Sequence, residues 1–219
     1  MNFKVTSGGG SVFAGAAITS SGGEAKERWT LGTSAADSQR VEARAVDPNT
    51  GATLVFGVFR ATPKPDVPVS LAKVAGDAQQ VVAGSAANDS LRVRVADQYN
   101  NPVPNVAVTW TVTPGSGSIN PSSSTTSATG LASTKWILGP TAGAQSVAAA
   151  SQGLTGSPET FNAVAIAGTG ALSINAGNNQ SATAGTAVGV APSVLVKDAN
   201  NNPVSGISVT FAVASGGGT

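Results

Sequence analysis

Two carboxylates recur in one setting. Asp97 and Asp198 each head an amide-rich turn, Asp97-Gln98-Tyr99-Asn100-Asn101-Pro102 and Asp198-Ala199-Asn200-Asn201-Asn202-Pro203. A hard cation such as calcium takes several oxygen ligands, so an acid among amides is a starting point for such a site. A single carboxylate with no second acid beside it is a poor one. An Asx turn, in which the carboxylate accepts nearby backbone N–H groups, uses the same residues without a metal and is the better reading. Trp29 and Trp136, on alternating segments, have the shape of sugar-stacking platforms; packing between sheets is the simpler use of a large ring at such a position. Trp110 is matched by Phe3 and Phe211 in its repeat positions, and exchange for another apolar ring fits packing. Glu24, Glu27, Asp37 and Glu42 are spread along strands and turns and read as solvated charges that keep a sheet edge from pairing. The glycine runs Gly8-Gly9-Gly10 and Gly216-Gly217-Gly218 lack the lysine and the following helix of a phosphate loop, so turn chemistry accounts for them.

What is missing narrows the chemistry further. Among 219 residues there is no histidine and no cysteine. That removes the commonest general base, the usual partner of a nucleophilic serine, the commonest zinc ligands and every disulfide. No catalytic, cofactor-binding or metal-ligating residue is assigned, no cofactor is expected, and the chain reads as non-enzymatic. Twelve Lys and Arg balance eleven Asp and Glu at a net charge of +1. No basic run or stripe stands out, so no nucleic-acid partner is expected. Met1-Asn2-Phe3-Lys4 leads straight into a strand pattern, without the features of a signal peptide. No apolar run approaches the roughly 20 residues of a membrane helix. The segment is expected to be soluble and not membrane-inserted, with any export signal outside it.

The elements that position these residues come as repeats. Val93 to Gly117 is an alternating strand, a polar turn and a second alternating strand ending in glycines. It recurs 101 residues later as Val194 to Gly218, with Asp97, Asn100, Asn101, Pro102 and Val103 returning as Asp198, Asn201, Asn202, Pro203 and Val204. A shift of 107 carries Gly23, Ala25, Trp29, Leu31 and Gly32 onto Gly130, Ala132, Trp136, Leu138 and Gly139. Repeats of this length are whole domains. Residues 1–65 read as the C-terminal half of a repeat, 66–168 as a complete one and 169–219 as the N-terminal half of a third.

In the first block, Arg40 to Val46 and Leu54 to Ala61 alternate apolar and polar residues. Asp47-Pro48-Asn49-Thr50-Gly51 separates them, with Pro presetting a negative φ and Gly accepting a positive one, which predicts a hairpin. Pro63-Lys64-Pro65-Asp66-Val67-Pro68 is the best linker, extended and stiff. The middle block predicts about seven short strands: Ser70 to Val74, Gln79 to Val82, Leu91 to Val95, Val106 to Val112, Ser133 to Leu138, Gln145 to Ala150 and Glu159 to Ala165. That count and spacing predict an all-β, two-sheet antiparallel sandwich. The fold expectation is thus tandem Ig-like antiparallel β-sandwiches, one complete and two partial repeats.

The combined pattern of Asp-x-x-x-Asn-Pro-Val, a V-T-W/F-x-V strand, a glycine-rich turn and T-x-x-x-G-x-A-x-x-x-W-x-L-G resembles the bacterial Ig-like group 1 repeats of invasin- and intimin-type adhesin stalks. It covers essentially the whole chain, through Asp97, Asn101, Pro102, Val103, Val108, Thr109, Trp110, Gly130, Ala132, Trp136, Leu138, Gly139 and their counterparts in the flanking blocks. The resemblance implies a bacterial surface or secreted protein whose domains stack into a rod. It carries over no receptor-binding residues, because the matching positions are fold determinants.

The leading functional expectation is a structural segment acting as a spacer in an extracellular, cell-surface stalk, whose partners are neighbouring Ig-like domains. One alternative is a self-assembling fibre subunit, in which the C-terminal half-domain of one copy completes the N-terminal half-domain of the next, head to tail. Phe3 to Ser11 and Phe211 to Thr219 are the same strand, so a domain completed that way holds one strand too many. A further alternative is a module binding a glycan or host receptor, of which the sequence identifies none.

Overall fold

The computed structural model describes residues 1–47 and 49–216, apart from the side chains of Val55 and Phe56. The described residues form strands and turns and no helix.

In the first block, β1 (Asn2–Ser7), β4 (Gln39–Val46) and β5 (Thr53–Ala61) make one sheet in the order β1-β4-β5, and β2 (Ser11–Val12) pairs with β3 (Trp29–Thr30). The β4–β5 hairpin is as expected, closed by hydrogen bonds from Gly51 N–H to Asp47 O and from Asp47 N–H to Ala52 O, both 2.9 Å. Gly51 has φ 68°, the left-handed conformation for which glycine is suited. The part of that turn assigned to Pro48 lies outside the described residues, as do Gly217 and Gly218 of the last glycine run.

The middle block is a two-layer sandwich. One sheet has the order β10-β12-β8-β6, from β6 (Ser70–Ala75), β8 (Leu91–Ala96), β10 (Ser118–Asn120) and β12 (Leu131–Ile137). The other has the order β11-β9-β13-β14-β7, from β7 (Gln79–Val82), β9 (Ala107–Val112), β11 (Ser123–Thr125), β13 (Gly143–Ala150) and β14 (Glu159–Ile166). Period-two alternation sends one face of each strand inward. Leu91, Val93 and Val95 from β8 meet Val108 and Trp110 from β9, Trp136 from β12, Val147 from β13 and Phe161 from β14 in one buried core. The Trp110 and Phe161 rings lie 5.9 Å apart and tilted at 45°. Both indole N–H groups are paired: Trp110 Nε1 donates to Ser124 Oγ at 2.9 Å and Trp136 Nε1 to Ser116 O at 2.7 Å. Core packing therefore accounts for Trp110 and Trp136, as expected.

The third block contains β15 (Ala171–Ala176) and β16 (Ser193–Lys197), paired antiparallel. They are the counterparts of β6 and β8.

The all-β sandwich is as expected, and five details differ from expectation. The middle sandwich is not wholly antiparallel, because β7 joins the edge of β14 in parallel, Gln79 to Val82 against Ala163 to Ile166. It also has nine strands rather than about seven. The Ser- and Asn-rich β10 and β11 carry little apolar alternation and are recruited by backbone pairing to β12 and β9. Residues 208–213, whose alternation matches β9, form no strand, and Phe211 is 60% exposed. In the middle block that segment is held by β13, which has no counterpart among the described residues of the third block, and unpaired strand backbone gains nothing over hydration. Glu42 does not guard an edge: it lies on β4, the central strand of its sheet, ion-paired with Arg44. Trp29 is only half-buried, unlike its fully buried counterpart Trp136.

Candidate functional site at the block junctions

The repeated turns hold one block against the next. Asp97 accepts N–H groups from Tyr99 and Asn101 on Oδ1 at 2.9 and 2.8 Å, forming the expected Asx turn. Asn100 takes φ 64° within it, a conformation asparagine tolerates better than most residues. The second carboxylate oxygen faces outward from the turn. Oδ2 accepts the Asn101 amide at 2.9 Å and the backbone N–H of Asp66, in the linker, at 2.9 Å. Four acceptor positions are thus filled, close to the capacity of an ionised carboxylate.

Asn101 completes the connection. Its side-chain Oδ1 accepts the Ala35 N–H at 2.8 Å and its Nδ2 donates to Thr33 O at 2.8 Å, both in the first block. An amide reading one N–H and one C=O of a loop imitates a strand partner, so the contact is specific in distance and orientation.

The receiving loop is shaped from behind by a glutamine. Gln39, 0% exposed at the head of β4, accepts the Gly32 N–H on Oε1 at 2.7 Å and donates from Nε2 to Gly32 O at 3.1 Å and Ser34 O at 3.2 Å. The glycine there answers to close approach: a Cβ on Gly32 would overlap the carbonyl oxygen of Gly8. The first glycine run therefore packs against this loop as well as turning the chain.

The same set is built a second time. Gln145, at β13, accepts from Gly139 N–H at 2.7 Å and donates to Gly139 O at 3.2 Å and Thr141 O at 2.8 Å. The loop so formed receives Asn202, through Ala142 N–H and Pro140 O, both at 2.8 Å. Asp198 repeats Asp97, accepting Asn200 and Asn202 N–H groups, the Asn202 amide, and the N–H of Gly168 at 2.9 Å. A Cβ on Gly139 would likewise overlap Gly115 O. This junction has one extra clasp, from Asn200 Nδ2 to Ala83 O at 3.1 Å.

Sequence reasoning found Asp97, Asn101 and their repeats as turn residues but missed their reach into the neighbouring block. It missed Gln39 altogether and took Gln145 only as the start of a strand. A signal existed: both glutamines follow a Gly-x-x-Ala stretch, Gly32 to Ala35 and Gly139 to Ala142, within a few residues.

Donors surrounding the acids shift them. The Asn202 side-chain amide, then the Gly168 N–H, bring the Asp198 carboxyl down from 3.8 to about 2, against the opposing effect of burial. At Asp97 burial pushes upward most strongly of any single influence, yet the Asn101 amide and the backbone N–H groups of Asp66, Asn101 and Tyr99 together hold it below the ordinary value. A carboxyl depressed in the folded state contributes stability above its unfolded pKa and loses it as pH falls through the folded one. Both junctions are accordingly at full strength above about pH 4. The second should loosen as pH falls from there towards about 2. Limited proteolysis of the third block across this range checks it: cleavage should accelerate on acidification in the native chain and depend far less on pH in Asp198→Asn.

Elsewhere, Glu27 is held on local backbone, accepting from Arg28 N–H at 2.7 Å and Ala14 N–H at 3.2 Å, and Glu24 pairs with exposed Lys26 at 3.1 Å. The structure does not gather Glu24, Glu27, Asp37 and Glu42 into one site, and no cluster of three or more potential metal-ligating side chains occurs among the described residues. Among those residues, too, no helix is long and apolar enough to cross a membrane.

The comparisons with known proteins agree with this architecture. The family model of the bacterial Ig-like domain (group 1) matches residues 71–164. No curated protein matches the chain. Among solved structures, the chain is similar to FdeC, an Escherichia coli adhesin, at 18% identity and a TM-score of 0.60, over 94% of this chain and 64% of that one. It is also similar to InvD of Yersinia pseudotuberculosis, at 13% identity and a TM-score of 0.53, over 92% of this chain and 60% of that one. The chain thus spans less than two thirds of either structure, and at these identities the likeness is one of fold. Residues 71–164 thus match the bacterial Ig-like domain (group 1), and the blocks on either side repeat parts of that sequence.

Proposed function

We propose that the chain is a structural segment of a bacterial surface or secreted adhesin-type protein, acting as a spacer that sets the distance and direction between flanking domains. In this reading residues 66–168 are one complete Ig-like domain, residues 1–65 the C-terminal half of another and residues 169–219 the N-terminal half of a third. The observation that carries it is the duplicated junction. A flexible tether between domains needs no buried polar contacts; here each turn buries a carboxylate and an amide, all 8% exposed or less, the amide pairing with the loop of the preceding block and the carboxylate with the segment that joins the blocks. Buried polar groups are costly unless paired, and their pairing fixes geometry. A spacer that transmits position requires such fixed angles at every joint. The extracellular setting follows from the same reading, since adhesin stalks act outside the cell.

Small-angle scattering on the full chain, at concentrations where it is monomeric, tests the proposal. The expected profile is that of an elongated particle fitted by one arrangement of the blocks. A profile that requires an ensemble of widely differing block orientations would contradict the spacer reading.

A further inference from the structure

The charges of the middle block are segregated between its two sheets. β6, β8, β10 and β12 hold Lys73, Arg92, Arg94 and Lys135 and no acid, whereas β7, β9, β11, β13 and β14 hold no cation and, as an acid, only Glu159. Two of the four cations are engaged. Lys73 pairs with Asp77 and donates to Thr160 O at 2.9 Å, and Arg94 donates to Asn100 Oδ1 and O at 2.7 and 2.8 Å. Arg92 and Lys135 have no acidic partner: the ion pairs among the described residues are Lys26–Glu24, Arg44–Glu42 and Lys73–Asp77. Alternation turns both outward, since Leu91 and Val93 on either side of Arg92, and Thr134 and Trp136 on either side of Lys135, are all buried.

The β8–β12 ladder brings these two cations together. Arg92 lies opposite Ser133, and Lys135 is the next residue of β12 on the same face. Such diagonal neighbours are about 7–8 Å apart, so two long side chains can converge on one anion. Across from Lys135 on its other side is Asn120 of the edge strand β10. There a groove of about 390 Å³ opens, lined by Lys135 and Asn120 together with Asn88, Asp89 and Ile137. Asn88 and Asn120 are exposed amides, and Ile137, 48% exposed, gives the groove an apolar surface. Asp89 is held by its backbone, through the Gln79 side chain at 2.8 and 3.0 Å, which leaves its carboxylate available.

We propose that this face binds an acidic oligosaccharide, with a carboxylate or sulfate group between Arg92 and Lys135 and the adjoining sugar ring in the groove. An anion there gains charge-assisted hydrogen bonds from both cations and meets no acid on the four strands. The groove has the volume of a small-molecule site. Its amides and carboxylate suit hydroxyl groups, which both donate and accept. Ile137 offers contact to the C–H face of a ring. Asp89 argues against a denser polyanion: a nucleic acid brings negative charge at every step of its backbone, and so against this carboxylate, whereas a saccharide presents hydroxyls for it to accept. The inference is independent of the spacer reading, which rests on the junctions between blocks.

Titration calorimetry of the full chain with tetragalacturonate, a chondroitin sulfate tetrasaccharide and neutral maltotetraose tests the proposal. At least one acidic oligosaccharide should bind, more weakly as salt is raised, and which of the two binds better identifies the group held as carboxylate or sulfate. Maltotetraose should bind at least about tenfold more weakly. Arg92→Gln and Lys135→Gln should each lower the affinity about tenfold, the loss of one charge-assisted hydrogen bond. Asn120→Ala should lower it as well. Arg60→Gln, which removes an exposed cation of the first block, should leave it unchanged. Circular dichroism establishes that these surface variants keep the fold. No binding of either acidic oligosaccharide, an equal loss with Arg60→Gln, or tighter binding of duplex DNA or anionic lipid vesicles through the same two cations would overturn the proposal.

Discussion

Trp136→Ala is expected to lower the stability of the middle block by about 3–5 kcal/mol, the range for removing a large aromatic side chain from a packed core. Trp136 is 1% exposed and sits among Leu91, Val93, Val147 and Phe161. Its loss would leave a cavity between the two sheets and strip Ser116 O of the indole donor. Chemical denaturation followed through the remaining tryptophans and by circular dichroism gives the value. Trp29→Ala is the natural comparison, since that ring is only half-buried over an open groove, and its cost in the isolated chain should be clearly smaller. Equal costs would mean that the two rings are equivalently packed, against the structure.

The second large effect concerns the glutamine behind the junction. Gln145→Leu keeps the size of the side chain and removes all three of its hydrogen bonds, leaving Gly139 N–H, Gly139 O and Thr141 O without this partner. Buried groups left unpaired cost about 1–3 kcal/mol. The larger consequence is transmitted. The same loop presents Ala142 N–H and Pro140 O to Asn202, so a loop that relaxes no longer offers the geometry the third block reads. Hydrogen exchange should show faster exchange at Ala142 and throughout the turn from Asp198 to Asn202, while the β8–β12 ladder stays protected. Changes confined to the Gly139 loop would show that the two blocks are not coupled through it.

The limits of reading this fold from sequence follow physical lines. The strands of the sandwich core were legible because alternation such as Leu91-Arg92-Val93-Arg94-Val95 states which face is buried. β10 and β11 were not, since three-residue segments of serine and asparagine beside proline are held by partners' backbones and carry no such signature. The 208–213 segment shows the opposite case: its alternation is plain, but alternation records which face could be buried and not whether anything is there to bury it. The Asx turns were legible as local chemistry. Their second role was not, because Asp97 reaches Asp66 across 31 residues and Asn101 reaches Ala35 across 66, and periodicity holds no information about such contacts. Gln39 was invisible for a further reason. A polar residue at a strand head reads as solvent-facing, and only the fold shows that the loop it supports folds back over it.

The fixed junction is the central claim, and a distance distribution across it is its most direct test. Spin labels at Lys4→Cys in β1 and Lys135→Cys in β12, both exposed positions, span the first junction in a chain with no other cysteine. Pulsed dipolar spectroscopy on this doubly labelled chain should give one narrow distance, and Asn101→Ala should broaden it markedly by releasing the Thr33 and Ala35 contacts. A broad distribution in the native chain, or a narrow one that Asn101→Ala leaves unchanged, would contradict the account.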